Sequence, residues 1–294
     1  RLWHWPSRVN AELRTWERVN TRYRVLAVFV AFLVGQAAFA TPLDDYVNAP
    51  DATYSWGLSA TIPGAGYTDY VIDLKSQTWD PDPPAGVNRT LWEHALIITV
   101  PNTVSHTTGM LFIDGGNNPA NLSSPNDAWL RDIAVRSQSV VARLRQVPNQ
   151  PLTFANDPLS LARTEDAQIA YCWRQFLDAG GDPEDAIWLS RLPMTKSAVR
   201  AMDTVTAFCA GSGVGGHTVS TFVVSGASKR GWTTWTTAAV DTRVVGLAPL
   251  VIDLLNMERS FVHHFEALGR YADAVGDYTE HGILDFAGTP EYRR

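Results

Sequence analysis

The sequence predicts an α/β fold: a mostly parallel sheet with helices on both faces. Three observations predict it. Short β-branched and apolar runs of strand length are followed, in the second half of the chain, by longer segments with apolar residues at helical spacing. A fully apolar strand at 109–113 runs into the loop Asp114-Gly115-Gly116-Asn117-Asn118. A strand–turn–helix unit at 218–240 joins the buried run of Val219, Phe222, Val223 and Val224 to a helix marked by Trp232, Trp235 and Ala239. Between them stands Gly226-Ala227-Ser228-Lys229-Arg230-Gly231.

The elements follow in order. Arg22 and Arg24, an apolar run at 25–34 and Ala38-Phe39-Ala40 have the layout of a signal peptide at 21–40, which implies a secreted or periplasmic protein starting at Thr41. An uncleaved membrane anchor is the alternative. Residues 1–20 are read as an upstream extension outside the fold, and the α/β domain is read as covering 41–294. Residues 42–51 read as an extended lead-in. Strands are expected at 54–61, 70–78, 92–100, 109–113, 139–145 and 244–251 besides the one before Ser228. Ser124, with Pro125 behind it, is expected to cap a helix running to Ile133. Thr164 caps another, with Glu165 and Asp166 in the first turn, where the helix dipole favours acids, and Gly180-Gly181 ends it. An extended link at 188–193 leads to a helix capped by Thr195. After residue 256 the segments 257–270 and 271–284 read as helices that form a lid.

The turn at Ser228 carries the chemistry. A serine at the tip of a strand–tight turn–helix unit is a nucleophile elbow, with its hydroxyl pushed outward. The new helix aims its first N–H groups and its positive dipole end at the same place. An oxyanion formed by attack of Ser228 would meet the Lys229 N–H there, with a second N–H expected near Gly115 and Gly116. Two features depart from the usual elbow. Arg230 stands where a glycine is common, with Gly231 one residue later. Asp114 precedes the glycine pair, where its charge opposes an oxyanion unless it turns away. The Arg230 side chain and Asp253, near the carboxyl end of strand 244–251, are candidate substrate contacts. The side chains of Lys229 and Arg230 also read as solvated surface charges.

A serine nucleophile needs a histidine base oriented by an acid. His263, His264 and His281 follow Ser228 but fall in the expected lid, so the acid and histidine are expected beyond residue 294 and the domain is read as C-terminally truncated. The run Gly211-Ser212-Gly213-Val214-Gly215-Gly216 fits a dinucleotide fingerprint, but helix precedes it and strand follows, the reverse of what nucleotide binding needs. Asp80 and Asp82 read as turn formers, and the adjacent His263 and His264 make a poor metal pair, so no metal and no cofactor are expected. A formal net charge of −6 and the lack of a basic patch argue against nucleic acid. A small-molecule or peptide substrate is expected, with membrane contact only through an uncleaved signal anchor. The two cysteines, Cys172 and Cys209, read as either a disulfide between helices or two buried thiols.

Several long motifs occur in order: Trp92-Glu93-His94-Ala95-Leu96, Leu111 to Asn117, Gln146 to Pro151, Glu165-Asp166, Trp188 to Asp203 and Gly226 to Trp235. Together they resemble the PhoPQ-activated pathogenicity-related proteins over residues 42–294. The resemblance implies an exported α/β-hydrolase-type fold and a longer chain, and it leaves the substrate open. The elbow spacing alone is similar to that of glucuronoyl esterases, in which a cation directly after the serine assists the oxyanion; Lys229 holds that position. The expected function is an exported serine hydrolase of esterase or peptidase type using Ser228. The alternatives are an inactive secreted binding or signalling protein on the same scaffold, or a carbohydrate esterase of the glucuronoyl kind.

Overall fold

The structure, a computed structural model, describes residues 40–84, 86–254 and 256–293. The upstream extension and nearly all of the expected signal peptide lie outside the described residues. The chain divides into two units, Arg1–Thr41 and Pro42–Arg294, and the fold is that of the second.

All seven expected strands form and join one sheet in the order β1-β2-β3-β5-β4-β6-β7. Strands β1 (Ser55–Gly64), β2 (Tyr67–Thr78) and β3 (Leu91–Pro101) are an antiparallel meander, and β3 also pairs antiparallel with β5 (Val141–Leu144). From β5 onward, through β4 (Thr108–Ile113), β6 (Thr221–Ala227) and β7 (Val244–Leu250), the pairing is parallel. The sheet is therefore mixed, not mostly parallel. Among the described residues, no helix lies between β1 and β2 or between β2 and β3, whereas parallel neighbours need a long crossover, usually a helix.

Side chains on β4 alternate between two apolar layers. Met110 and Phe112 pack with Leu130 and Ala134 of α2 (Ala128–Ser137). Leu111 and Ile113 join the main core on the other face, with Ile169 and Cys172 of α3 (Glu165–Ala179) and Met194, Ala198, Met202 and Val205 of α4 (Arg191–Cys209). Helix α5 (Lys229–Val240) follows β6 and is tied to α4 by a hydrogen bond between Thr195 Oγ1 and Thr236 Oγ1, 2.7 Å.

Four helix boundaries differ from expectation, two of them where a long-range contact ties the segment down. Residues 42–51 are not extended: α1 spans Pro42–Asn48, and Lys196 donates to the carbonyls of Tyr46 (3.1 Å) and Ala49 (2.7 Å) at its end. Helix α2 is capped by Asp127, not Ser124. The residue before it is tied down, because buried Asp69 accepts the Asn126 N–H at 3.0 Å. Helix α4 starts at Arg191, behind Ser190 as N-cap and a 3₁₀ turn at Pro183–Trp188, so the link at 188–193 is largely helical. Pro193 fits there because the first turn has no use for its missing N–H, and Thr195 is interior, bonded to Arg191 O at 2.8 Å. Beyond α6 (Met257–Leu268), the helix expected at 271–284 is broken into a 3₁₀ turn at Asp273–Val275, α7 (Gly276–Glu280) and a 3₁₀ turn at Ile283–Phe286, before α8 (Pro290–Arg293).

Strand β4 connects to β5 on one side, while β6 connects to β7 on the other. The order thus reverses between β4 and β6, and at such a switch point open α/β sheets place their sites, beyond the carboxyl ends of the strands. Ile113 pairs with Gly226, so the Asp114–Gly116 loop and Ser228 leave the sheet side by side.

Candidate active site

Ser228 is the hinge between β6 and α5, with φ 54° and ψ −124°. A non-glycine residue there costs on the order of 1–3 kcal/mol and persists only where its surroundings impose it. They do: the Ser228 N–H donates to Leu250 O (2.9 Å), and Ser228 O accepts from the Trp232 N–H (3.1 Å). The spacing of the two glycines has a steric cause. A Cβ on Gly226 would stand 2.7 Å from Arg230 O, and one on Gly231 would stand 2.6 Å from Ile252 Cγ2 and 3.0 Å from Gly226 O. The helix crosses the sheet at residue 231, so the glycine is needed there and residue 230 is free to carry a side chain.

That side chain does not face the Ser228 cavity. Arg230 donates to both carboxylate oxygens of Glu165 (2.6 and 2.7 Å) and to Val147 O (2.5 Å). Lys229 Nζ lies 2.8 Å from Glu165 and 2.9 Å from Asp166. The two cations are 11% and 9% exposed, so they are buried ion-pair partners and not solvated surface charges. Burial alone would raise the Glu165 carboxyl, but hydrogen bonds from Arg230 and Lys229 outweigh it and bring it to about 2.

Asp114 turns its charge away from the elbow, onto Arg143 (2.8 Å from Nε and 2.5 Å from Nη2). Its other oxygen accepts the Gly115 N–H at 2.7 Å, so that N–H is already engaged. Gly116, at φ 124°, is the position in the loop where a side chain would be strained.

Ser228 opens into a cavity of about 250 Å³, lined also by Lys229, Trp232, Asp253, His264 and Tyr278. Segments after residue 256 wall this cavity. Asp253 accepts a long hydrogen bond from Ser260 (3.3 Å). His264 shares the cavity, but its Nε2 accepts the Ala272 N–H at 2.9 Å. His281 lies 2.8 Å from Asp277 O through Nδ1 and 3.1 Å from Arg163 through Nε2, and His263 is exposed. Among the described residues, no hydrogen bond joins any of these three histidines to Ser228. Sequence reasoning missed Arg191, which also lines the cavity. Burial brings its guanidinium down to about 10; it donates to Lys229 O (3.0 Å) and lies 3.7 Å over the Trp232 ring.

Among the described residues there is no cluster of three side chains able to hold a metal ion, and no helix long and apolar enough to cross a membrane. Cys172 and Cys209 are buried free thiols. The reversed order around Gly211–Gly216 is as expected, with α4 before it and β6 after it.

A mixed sheet with a switch point, and a strained serine between a parallel strand and its helix, define an α/β-hydrolase-type fold. Within that class, the chain belongs to the PhoPQ-activated pathogenicity-related protein family, whose model matches residues 43–294. It is 42% identical over 270 residues to autocrine proliferation repressor protein A of Dictyostelium discoideum, a match covering 91% of this chain and 52% of the relative. The chain thus spans about half the length of that curated relative. It is also similar to two solved structures. One is an acetyl xylan esterase from a Paenibacillus species, with 11% identity, 83% of this chain and 70% of the other covered and a TM-score of 0.42. The other is acetyl xylan esterase 1 from a Thermoanaerobacterium species, with 12% identity, 82% and 72% covered and a TM-score of 0.41.

Proposed function

We propose that this chain carries the nucleophile of an exported serine hydrolase acting on an ester or peptide carbonyl. The observation behind the reading is Ser228 itself, held at φ 54° on the first turn of α5 and open to a cavity. Ser228 Oγ attacks the carbonyl carbon. The Lys229 N–H, which as the first residue of the helix has no partner within it, stabilises the oxyanion together with the Gly116 N–H. The Ser228 proton passes to a general base, which hands it to the alcohol or amine that leaves as the acyl–serine ester forms; of the histidines, His264 lines this cavity, and its Nε2 is engaged by the Ala272 N–H. Asp253 contacts the substrate from the cavity wall. Lys229 acts through its backbone, because its side chain belongs to Glu165 and Asp166; this sets the site apart from the glucuronoyl-esterase pattern.

The test is labelling of the purified protein with a fluorophosphonate, with the adduct located by mass spectrometry. Ser228 should be modified, and Ser228→Ala should abolish the adduct. If wild-type protein stays unlabelled in its full-length form, the hydrolase reading fails. The second reading, a secreted binding or signalling protein on the same scaffold, is favoured by the engagement of His264 with Ala272. It also fits the name of the amoebal relative, a proliferation repressor. Under it, Ser228→Ala leaves function intact.

A further inference from the structure

Trp173, Trp232, Ile252, Met257, Phe261 and Leu284 form much of the wall of the cavity at Ser228. The charged side chains that line it balance in sign, Asp166 and Asp253 against Arg191 and Lys229. They are also spent within the protein. Lys229 Nζ lies 2.9 Å from Asp166, and Asp166 accepts from the Tyr278 hydroxyl at 2.8 Å. Arg191 donates to Lys229 O at 3.0 Å and lies over the Trp232 ring. Asp253 accepts from Ser260, and His264 Nε2 accepts the Ala272 N–H. Ser228 differs from them: as the N-cap of α5 it makes no side-chain capping bond.

A substrate in this cavity therefore meets a reactive hydroxyl, apolar walls and polar groups that already have partners. A charged substrate would find no surplus of opposite charge. A sugar or a peptide would bring hydroxyls or amides, and each one buried without a partner weakens binding roughly tenfold or more. An apolar body gains affinity from the same walls. Scaled from the ~150 Å³ cavity that holds benzene, a volume of about 250 Å³ takes on the order of ten non-hydrogen atoms. We propose that the substrate is an uncharged carboxylic ester whose apolar body fills this cavity, and neither a peptide nor a sugar ester. The assignment rests on the hydrolase reading of Ser228. Ser228 Oγ bonds to the ester carbonyl carbon, and the alcohol leaves with the serine proton by way of the general base. Water then cleaves the acyl–serine ester, which releases the acid and restores Ser228.

The test is isothermal titration of the 294-residue chain carrying Ser228→Ala, which stops turnover, with the methyl esters of propanoic, pentanoic and heptanoic acid. Affinity should rise roughly three- to fourfold per added methylene. N-acetylalanine methyl ester, similar in size to methyl heptanoate, and xylose monoacetate should each bind at least about tenfold more weakly than the heptanoate. Met257→Gln, at the start of α6, and Leu284→Gln, in the turn at Ile283–Phe286, each make one part-buried wall residue polar without much change in size. Each should weaken methyl heptanoate at least about threefold, with circular dichroism confirming the fold. Any one of four results overturns the proposal: no saturable binding of the heptanoate, affinity flat along the series, the peptide-like or sugar ester binding as tightly, or both wall variants keeping full affinity. Fluorophosphonate labelling of the wild-type serine separates the two readings. Labelling together with one of these four results removes the apolar ester and leaves the hydrolase. Binding as expected without labelling removes the hydrolase, and the ester as its substrate with it.

Discussion

Glu165→Gln is the most informative single change to the elbow. Glu165 ties three segments together: it accepts the fork of Arg230 and the ammonium of Lys229, and it exchanges two 2.8 Å hydrogen bonds with Gln150. Glutamine keeps the volume and removes the charge. A carboxyl brought from 4.5 to about 2 corresponds in full to about 3 kcal/mol. The carboxylate is 37% exposed, so screening reduces that to roughly 1–2 kcal/mol. The substitution also leaves two cations, 11% and 9% exposed, without their shared anion, and breaking a buried pair costs about 3–5 kcal/mol. Between these limits we expect a loss of about 2–4 kcal/mol. That is a Tm lower by roughly 5–12 °C for a domain of this size, and a lower urea midpoint with unchanged slope. Because the folded-state pKa is depressed, this stabilisation is complete above about pH 4.5 and is lost as the pH falls toward about 2. The gap between wild type and variant should therefore close in acid. Adding Arg230→Met to Glu165→Gln should cost less than the sum of the two single changes. A Glu165→Gln protein within about 0.5 kcal/mol of wild type at pH 7, the usual range for an unremarkable surface change, would refute the reasoning. So would a gap that does not narrow between pH 6 and pH 3.

Gly231→Ala should destabilise by about 1–3 kcal/mol in urea denaturation, because its Cβ would press on Ile252 at 2.6 Å and on two backbone carbonyls, of Gly226 and Leu250, near 3 Å. An unchanged midpoint would show that the crossing of β6 and α5 has slack. Burial pushes the Cys209 thiol up to about 12 and the Cys172 thiol higher still, so neither should react with a thiol reagent at pH 8 until urea unfolds the chain. Fast labelling of the native protein would contradict this. Burial brings the His94 imidazole down to about 4, against hydrogen bonds at Arg145 and Gln146 that work the other way. The unfolded chain therefore binds a proton that the folded one refuses, and stability should fall by up to about 3 kcal/mol as pH drops from 6.5 toward 4. A His94→Gln variant that shows the same fall would remove His94 as its source.

Strands and helix starts differ in how far their causes reach. The strands were legible because their cause is local: alternation in β2 and the apolar run of β4 between two covered faces show directly in the residues. The elbow was legible because its flanking strand and helix are both strongly patterned. The helix starts were not. What closes α1 is Lys196, about 150 residues away in sequence, and what precedes α2 is held by Asp69 in the sheet. Glu165 and Asp166 are the instructive miss. Acids in a first helical turn look alike whether they answer only to the helix dipole or hold cations 65 residues downstream. A signal was present: two adjacent cations at a turn expected to sit against the buried sheet require acids close by. Arg191 was hidden by the misplaced start of α4, which left it in an expected extended link.

The arginine in place of the usual elbow glycine can then be understood from its surroundings. Arg230 passes so close to the β4 loop that a Cβ on Gly115 would stand 2.5 Å from its guanidinium, so Gly115 is a glycine on Arg230's account. The Gly115 N–H is held by Asp114, Asp114 by Arg143, and Arg143 reaches Asp127 at the cap of α2 (2.8 Å). On the other side, Arg230 is held by Glu165, which shares Lys229 with Asp166, and Asp166 accepts from Tyr278. Alternating charges thus link α2, the β4 loop, the elbow helix and α3 beneath a serine whose backbone is strained. A strained hinge stays put only if its neighbours cannot relax, and this network adds to the close packing at Gly226 and Gly231 in holding it. It also engages the Gly115 N–H, so that in the proposed hydrolase mechanism the oxyanion would fall to the Lys229 and Gly116 N–H groups.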